Sequence, residues 1–292
     1  MSRKLRTYNE LEGADRSGLL SQVVAQRERV HARLKTVARV IAVMSGKGGV
    51  GKSFITASLA TALARRGLAV GVLDADLHGP TTARMLGAEG PLDVSDEGVR
   101  PAVAAEGVRV MSSDLLLPED APLAWREPTG DGFIWRGTLE AGMLREFLGD
   151  VAWGDLDVLL VDLPPGTERL AALIEFVPGL SGILAVTIPA DASRRAVARS
   201  LEVAKQRGGK ILGVIENMAG YECPSCGKVA PLFHGDAAKT LAKASGAPVL
   251  ASIPFDPAAQ AGADGGRLRT DGAAVHGIAH LADAVMREPA RP

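Results

Sequence analysis

The 292-residue chain has room for one large α/β domain or two small ones, and its 47% apolar and 23% charged residues exclude a disordered or tail-like polymer. Lys+Arg 33 against Asp+Glu 34 leaves a formal charge of −1, so the chain lacks the basic excess that neutralises nucleic-acid phosphates, and 4% aromatic content disfavours a base-stacking platform. Only two cysteines are present, which excludes a disulfide framework. No apolar run reaches the ~18 residues of a membrane span. Arg3, Lys4 and Arg6 are followed by the polar stretch Tyr8–Glu12, not by a signal-peptide core. The expectation is a cytoplasmic protein with no nucleic-acid or membrane partner.

Residues 1–36 read as an N-terminal helical arm. Leu20, Val23, Val24, Val30 and Leu34 recur near helical spacing among Gln26, Arg27, Glu28, Arg29 and Arg33, which predicts an amphipathic helix over about 17–35. From residue 37 to 292 the pattern alternates. Apolar, β-branched runs at Val40–Met44, Ala69–Leu73, Val108–Met111, Val158–Val161, Gly182–Ile188, Ile211–Ile215 and Val249–Ile253 read as strands covered on both faces. Helical stretches fall at about 53–66, 139–149, 192–207, 236–245 and 272–287. Such alternation implies right-handed crossovers and a three-layer α/β/α fold with a mostly parallel sheet. Residues 87–134, rich in Gly and Pro, read as an insertion with short hairpins.

The strongest motif is Gly46-Lys47-Gly48-Gly49-Val50-Gly51-Lys52-Ser53, which follows a strand and opens a helix. This is the phosphate loop (P-loop) of an NTPase. Its glycines let successive N–H groups turn toward phosphate oxygens, and the helix N-terminus adds its positive dipole end. Lys52 reaches the β- and γ-phosphates, and the Ser53 hydroxyl can hold Mg²⁺. Ligands of such sheets bind at the carboxyl ends of the strands. Three aspartates stand there: Asp74 and Asp76 after Val70–Leu73, and Asp162 after Val158–Val161. Asp162 is the expected Mg²⁺ carboxylate, Asp74 a further member of the metal shell, and Asp76 the group that orients the attacking water. Leu163-Pro164-Pro165-Gly166-Thr167 then reads as a stiff switch segment whose Gly166 N–H senses the γ-phosphate. Asn217 is followed by Met218, so the guanine-reading Asn-Lys-x-Asp pattern is missing and adenine is the expected base.

Both cysteines lie in Cys223-Pro224-Ser225-Cys226-Gly227, within a loop at 219–233. A redox pair, half a zinc knuckle and inert thiols are all open readings. Closed thiolate sites need four ligands, and one chain offers two. His234 is an uncommitted third, and His276 and His280 are distant in sequence. A two-fold axis duplicates a ligand pair, so a homodimer supplies Cys₄ for zinc or for a four-iron cluster.

The form KGGVGKS resembles the deviant phosphate loop of the MinD/ParA/nitrogenase-reductase superfamily. That resemblance implies that Lys47 reaches across a dimer interface to the partner's nucleotide and that Asn217 reads the adenine edge. Further motifs are Leu-Asp-Ala-Asp-Leu-His-Gly-Pro (73–80), Trp-Arg-Gly (135–137), Val-Asp-Leu-Pro-Pro-Gly-Thr (161–167), Glu-Asn-Met (216–218), the CxxC stretch and Ile-Pro-Phe-Asp-Pro (253–257). With them the chain resembles the Mrp/ApbC family of iron–sulfur carrier proteins over about 38–270. The resemblance implies an ATP-binding homodimer holding a [4Fe–4S] cluster between paired Cys223 and Cys226. The cluster would pass from an assembly scaffold to apo-proteins, with ATP binding or slow hydrolysis gating the dimer geometry. A positioning ATPase of the MinD/ParA kind and a dimer with a structural zinc are the alternatives. Phe54 stands where the family usually has Thr, and Glu168-Arg169 where it usually has Gly-Asp.

Overall fold

The computed structural model describes residues 19–77, 79–95, 98–116, 142–177, 179–223, 225–233 and 235–291. His78, the Trp135-Arg136-Gly137 motif, Pro224, His234 and the first 18 residues of the arm lie outside the described residues.

In chain order the elements are α1 (Leu19–Leu34), β1 (Val40–Ser45), α2 (Lys52–Ala64), β2 (Val70–Asp74), α3 (Thr82–Leu86), β3 (Asp93–Ser95), β4 (Gly98–Arg100), β5 (Ala102–Val103) and β6 (Arg109–Met111). A helix α4 at 142–150 follows. Then come β7 (Val158–Asp162), α5 (Glu168–Phe176), β8 (Gly182–Thr187), α6 (Asp191–Gln206), β9 (Ile211–Glu222), β10 (Val229–Ala230), α7 (Ala237–Ser245), β11 (Val249–Phe255), α8 (Pro257–Asp264) and α9 (Ala273–Met286).

Among the described residues nine strands form one sheet, in the order β10-β9-β8-β1-β7-β2-β6-β5, with β11 also paired to β9. The pairs of β1 with β7 and β8, of β2 with β6 and β7, and of β9 with β8 and β11 are parallel. Within this sheet, among the described residues, only the edge pairs β5/β6 and β9/β10 run antiparallel. β1, β2, β7 and β8 are buried at every residue, as unbroken apolar runs require when helices cover both faces.

Alternate strand residues feed two cores. Ile41 and Val43 of β1 pack with Ile55, Leu59 and Leu63 of α2 and with Ile278, Leu281 and Val285 of α9. Val40, Ala42 and Met44 face the opposite layer, with Leu148, Leu170, Leu173, Val197 and Leu201. Val30 and Leu34 of α1 are buried in that same layer, near Leu148, Val151 and Trp153.

The region at 87–116 holds both a short hairpin and part of the main sheet. β3 and β4 form a small hairpin, but β6 and β5 extend the main sheet at its edge. β9 differs from expectation, because the strand continues seven residues past Ile215, to Glu222, through partners in β11 and β10.

Candidate functional site

The phosphate loop joins β1 to α2. Gly51 caps α2 with φ +79°, a left-handed conformation that suits glycine. Space is as restrictive as conformation there: a Cβ on Gly51 would lie 2.2 Å from Asn217 Nδ2. Gly46 needs its bare Cα for another reason, since a Cβ would lie 2.3 Å from the backbone N of Val197 in α6. The loop is thus seated directly on α6. The Ser45 hydroxyl donates to Lys47 O at 3.0 Å, and Lys47 itself is exposed.

Asp162, at the carboxyl end of β7, is fully buried and gathers the loop's polar side chains. Lys52 Nζ lies 2.7 Å and Ser53 Oγ 2.6 Å from its Oδ2. Thr82 Oγ1 donates to the same oxygen at 3.3 Å, and Thr56 Oγ1 donates to Oδ1 at 2.7 Å. Thr56 and Thr82 are both completely buried, and sequence reasoning missed both. A signal existed for Thr56, which stands four residues after Lys52 and so shares its helix face.

Asp74 is the register partner of Asp162 across β2 and β7. Its Oδ2 accepts the N–H groups of Thr81 and Thr82 at 3.0 Å each, and its Oδ1 that of Asp76 at 3.1 Å. Burial, and secondarily the Asp162 charge, push the Asp74 carboxyl up to about 7, against the opposing pull of the Thr82 N–H, Lys52 and the Asp76 N–H. Asp76 is half-buried at the same rim. The structure therefore brings Lys52, Ser53, Asp74, Asp76 and Asp162 to one edge of the sheet.

Two further expected site residues have partners within the protein. The Gly166 N–H, expected at the γ-phosphate, donates to Ser45 O at 3.2 Å. Asn217, expected at the adenine edge, lies in mid-strand behind the loop. It is 4% exposed, and its Nδ2 donates to Val50 O at 2.9 Å. One amide N–H is thereby committed to the loop. Phe54 packs its ring against the apolar layer of α2 and α9.

The two cysteines cap the β9–β10 hairpin. Cys223 N–H donates to Lys228 O at 2.9 Å, and Gly227, at φ +68°, closes the turn by donating to Cys223 O at 2.8 Å. Both thiols are free; Cys223 is half-buried and Cys226 exposed. The Ser225 N–H, then the Cys226 N–H and thiol, hold the Cys223 thiol below its ordinary range. Val229, Leu232 and Phe233 expose apolar side chains beside the pair. Among the described residues no group of three or more His, Cys, Asp and Glu gathers for a metal.

Fold and loop together define a phosphate-loop NTPase, with the loop, Asp74 and Asp162 at the carboxyl ends of β1, β2 and β7. A family model described as ParA, NUBPL iron-transfer P-loop NTPase, matches residues 36–288, and the chain belongs to that family. The iron-sulfur cluster carrier protein of Saccharolobus solfataricus is 41% identical over 248 residues, 84% of this chain and 80% of that protein. The cytosolic Fe-S cluster assembly factor NUBP2 of Homo sapiens is 39% identical over 231 residues, 77% of this chain and 82% of that protein. Among solved structures, the nucleotide-binding protein of Archaeoglobus fulgidus in complex with ADP is 40% identical with a TM-score of 0.69, covering 82% of this chain and 91% of that one.

Proposed function

We propose that this chain is a cytoplasmic, ATP-dependent iron–sulfur cluster carrier. It accepts a [4Fe–4S] cluster from an assembly scaffold, holds it between Cys223 and Cys226 of two copies, and delivers it to apo-proteins. The observation that carries this reading is the CxxC hairpin. Both thiols of the chain share the tip of one hairpin, Cys226 exposed and Cys223 half-buried, and a two-fold axis through that tip would supply the four thiolates a cluster requires. Family membership and the relatives' printed roles point the same way.

ATP is the nucleotide of this reading. The N–H groups of residues 46–53 cradle its phosphates, Lys52 offsets charge on the β- and γ-phosphates, and the second N–H and Oδ1 of Asn217 contribute to the adenine side. Ser53, Asp162 and Asp74 offer the hard oxygens that Mg²⁺ takes, and they would hold it beside the phosphates, where its charge screens theirs. Asp76 orients the attacking water. Lys47 is exposed and extends toward the nucleotide of the second copy, where a cation offsets charge developing on the transferred phosphoryl group. Gly166 exchanges Ser45 O for the γ-phosphate as the switch closes.

The test is anaerobic reconstitution of the wild type and of the double variant Cys223→Ala/Cys226→Ala. Iron, sulfide and zinc are measured per chain, and nucleotide binding is measured in parallel. The wild type is expected to take up about four irons and four sulfides per two chains, and the variant none, with nucleotide binding retained. Zinc without sulfide in the wild type, or iron retained by the variant, overturns the reading.

A further inference from the structure

We infer that β9 ties the phosphate loop to the thiol hairpin, with Asn217 and Met218 as the positioning residues that couple nucleotide occupancy to the placement of Cys223 and Cys226. The inference rests on the reading that these two ends are the nucleotide and cluster sites.

The tie begins with the peptide unit Val50–Gly51. In a trans peptide the carbonyl and the N–H point in opposite directions. When the Gly51 N–H turns toward a phosphate, the Val50 carbonyl turns away from it. That carbonyl accepts the Asn217 amide at 2.9 Å. Asn217 therefore registers the orientation of the peptide that binds phosphate. The approach is tight, since a Cβ on Gly51 would lie 2.2 Å from Asn217 Nδ2 and 3.8 Å from Met218 Cε.

From Asn217 the same strand reaches Cys223 in six residues, ~20 Å of extended chain. No loop intervenes, because β9 runs unbroken to Glu222. Its pairing with β8 ends at Glu216, one residue before the tie. Beyond that point β11 supports it through Asn217↔Ile253 and Tyr221↔Phe255, with a register shift between those two pairs. Met218 sits inside the shift with φ +54°, a left-handed backbone rarely held by a non-glycine residue. Tyr221 then stacks on Phe255 at 6.4 Å, which stiffens the segment that ends in the cysteines. A pull on Asn217 is thus converted at Met218 into a change in the direction of the hairpin.

The experiment reads the thiols of the cluster-free full-length protein. Their rate of reaction with DTNB is measured with and without Mg–ADP and Mg–ATPγS. The protein concentration is one at which sizing gives the same assembly state in every sample. The wild type is expected to change its rate at least two-fold on nucleotide addition. Met218→Gly, which suits φ +54° and frees the hinge, is expected to keep nucleotide affinity within two-fold while its rate ratio falls to about one. Asn217→Ala, read at saturating nucleotide, is expected to lose the response as well. A wild type whose thiols ignore nucleotide, or variants that keep the wild-type ratio, overturns the tie. Iron uptake by an untreated portion of the same wild-type preparation reports separately on the carrier reading.

Discussion

Thr56 offers the sharpest test of how the site is built. Its hydroxyl is the one described donor to Oδ1 of Asp162, because Lys52, Ser53 and Thr82 all address Oδ2. Thr56→Val keeps the shape and removes that donor inside a fully buried site. Stranding a buried carboxylate oxygen costs ~3 kcal/mol, and the added methyl recovers at most ~1 kcal/mol, so the variant should lose about 2 kcal/mol of unfolding free energy. Thr56→Ser keeps the donor and loses one methyl, so it should lose about 1 kcal/mol. Urea unfolding in EDTA without nucleotide measures both. In hydrolysis assays Thr56→Val should also raise the Mg²⁺ concentration at half-maximal rate about ten-fold, as loss of a partner behind a metal ligand does. Hydrophobic burial alone predicts the opposite order, with Val at least as stable as Ser. That order, with an unchanged Mg²⁺ requirement, would refute the role given to Thr56.

Gly46→Ala should weaken ATP binding more than ten-fold, measured by titration calorimetry, because its Cβ would meet the backbone of Val197 at 2.3 Å and no side-chain rotation relieves that. Leu34→Ala should cost about 2–4 kcal/mol in urea unfolding, whereas Val24→Ala, at a position 49% exposed, should stay within about 0.5 kcal/mol; equal effects would show that α1 does not belong to the core. Asp74 has a folded pKa of about 7 against an ordinary 3.8, so folding takes up a proton between those values. The metal-free protein should then lose stability as pH rises from about 4 through 7, by at most about 4 kcal/mol, and stay level above. Asp74→Asn should flatten that slope in urea titrations across pH, and a slope that persists in the variant removes Asp74 as its source.

Much of this architecture is legible because burial on both faces leaves a mark on composition. The runs at Val40–Met44 and Val158–Val161 contain no polar residue to interrupt the pattern, and they became β1 and β7 within a residue. The extension of β9 left no such mark. Glu216, Asn217 and Gly220 break the apolar run, and the strand persists because β11 and β10 supply hydrogen-bond partners from distant sequence. α8 leaves little mark because its residues are small, although Asp256 followed by Pro257 is a readable start signal, which the structure realises as Asp256 accepting the Ala258 N–H at 2.8 Å. Within the site the loop and its aspartates are local motifs. The Thr82–Asp162 contact and the Asn217–Val50 contact join segments 80 and 167 residues apart, and no spacing rule reaches that far.

The arrangement around Asp162 also bears on how a nucleotide enters. A buried Lys–Asp pair gains Coulomb energy but must offset the desolvation of both ions, so it is stable here only because Thr56, Ser53 and Thr82 satisfy the remaining carboxylate sites. Lys52 and Ser53 both occupy Oδ2, the atom facing the loop. A phosphate drawing Lys52 away would leave that oxygen short of a cation. The favourable replacement is another cation at the same place, so phosphate and a divalent metal should bind with positive cooperativity, each raising the affinity for the other. Asp74 adds to the effect, because a divalent charge beside it stabilises its carboxylate form and opposes the burial that now pushes its pKa up.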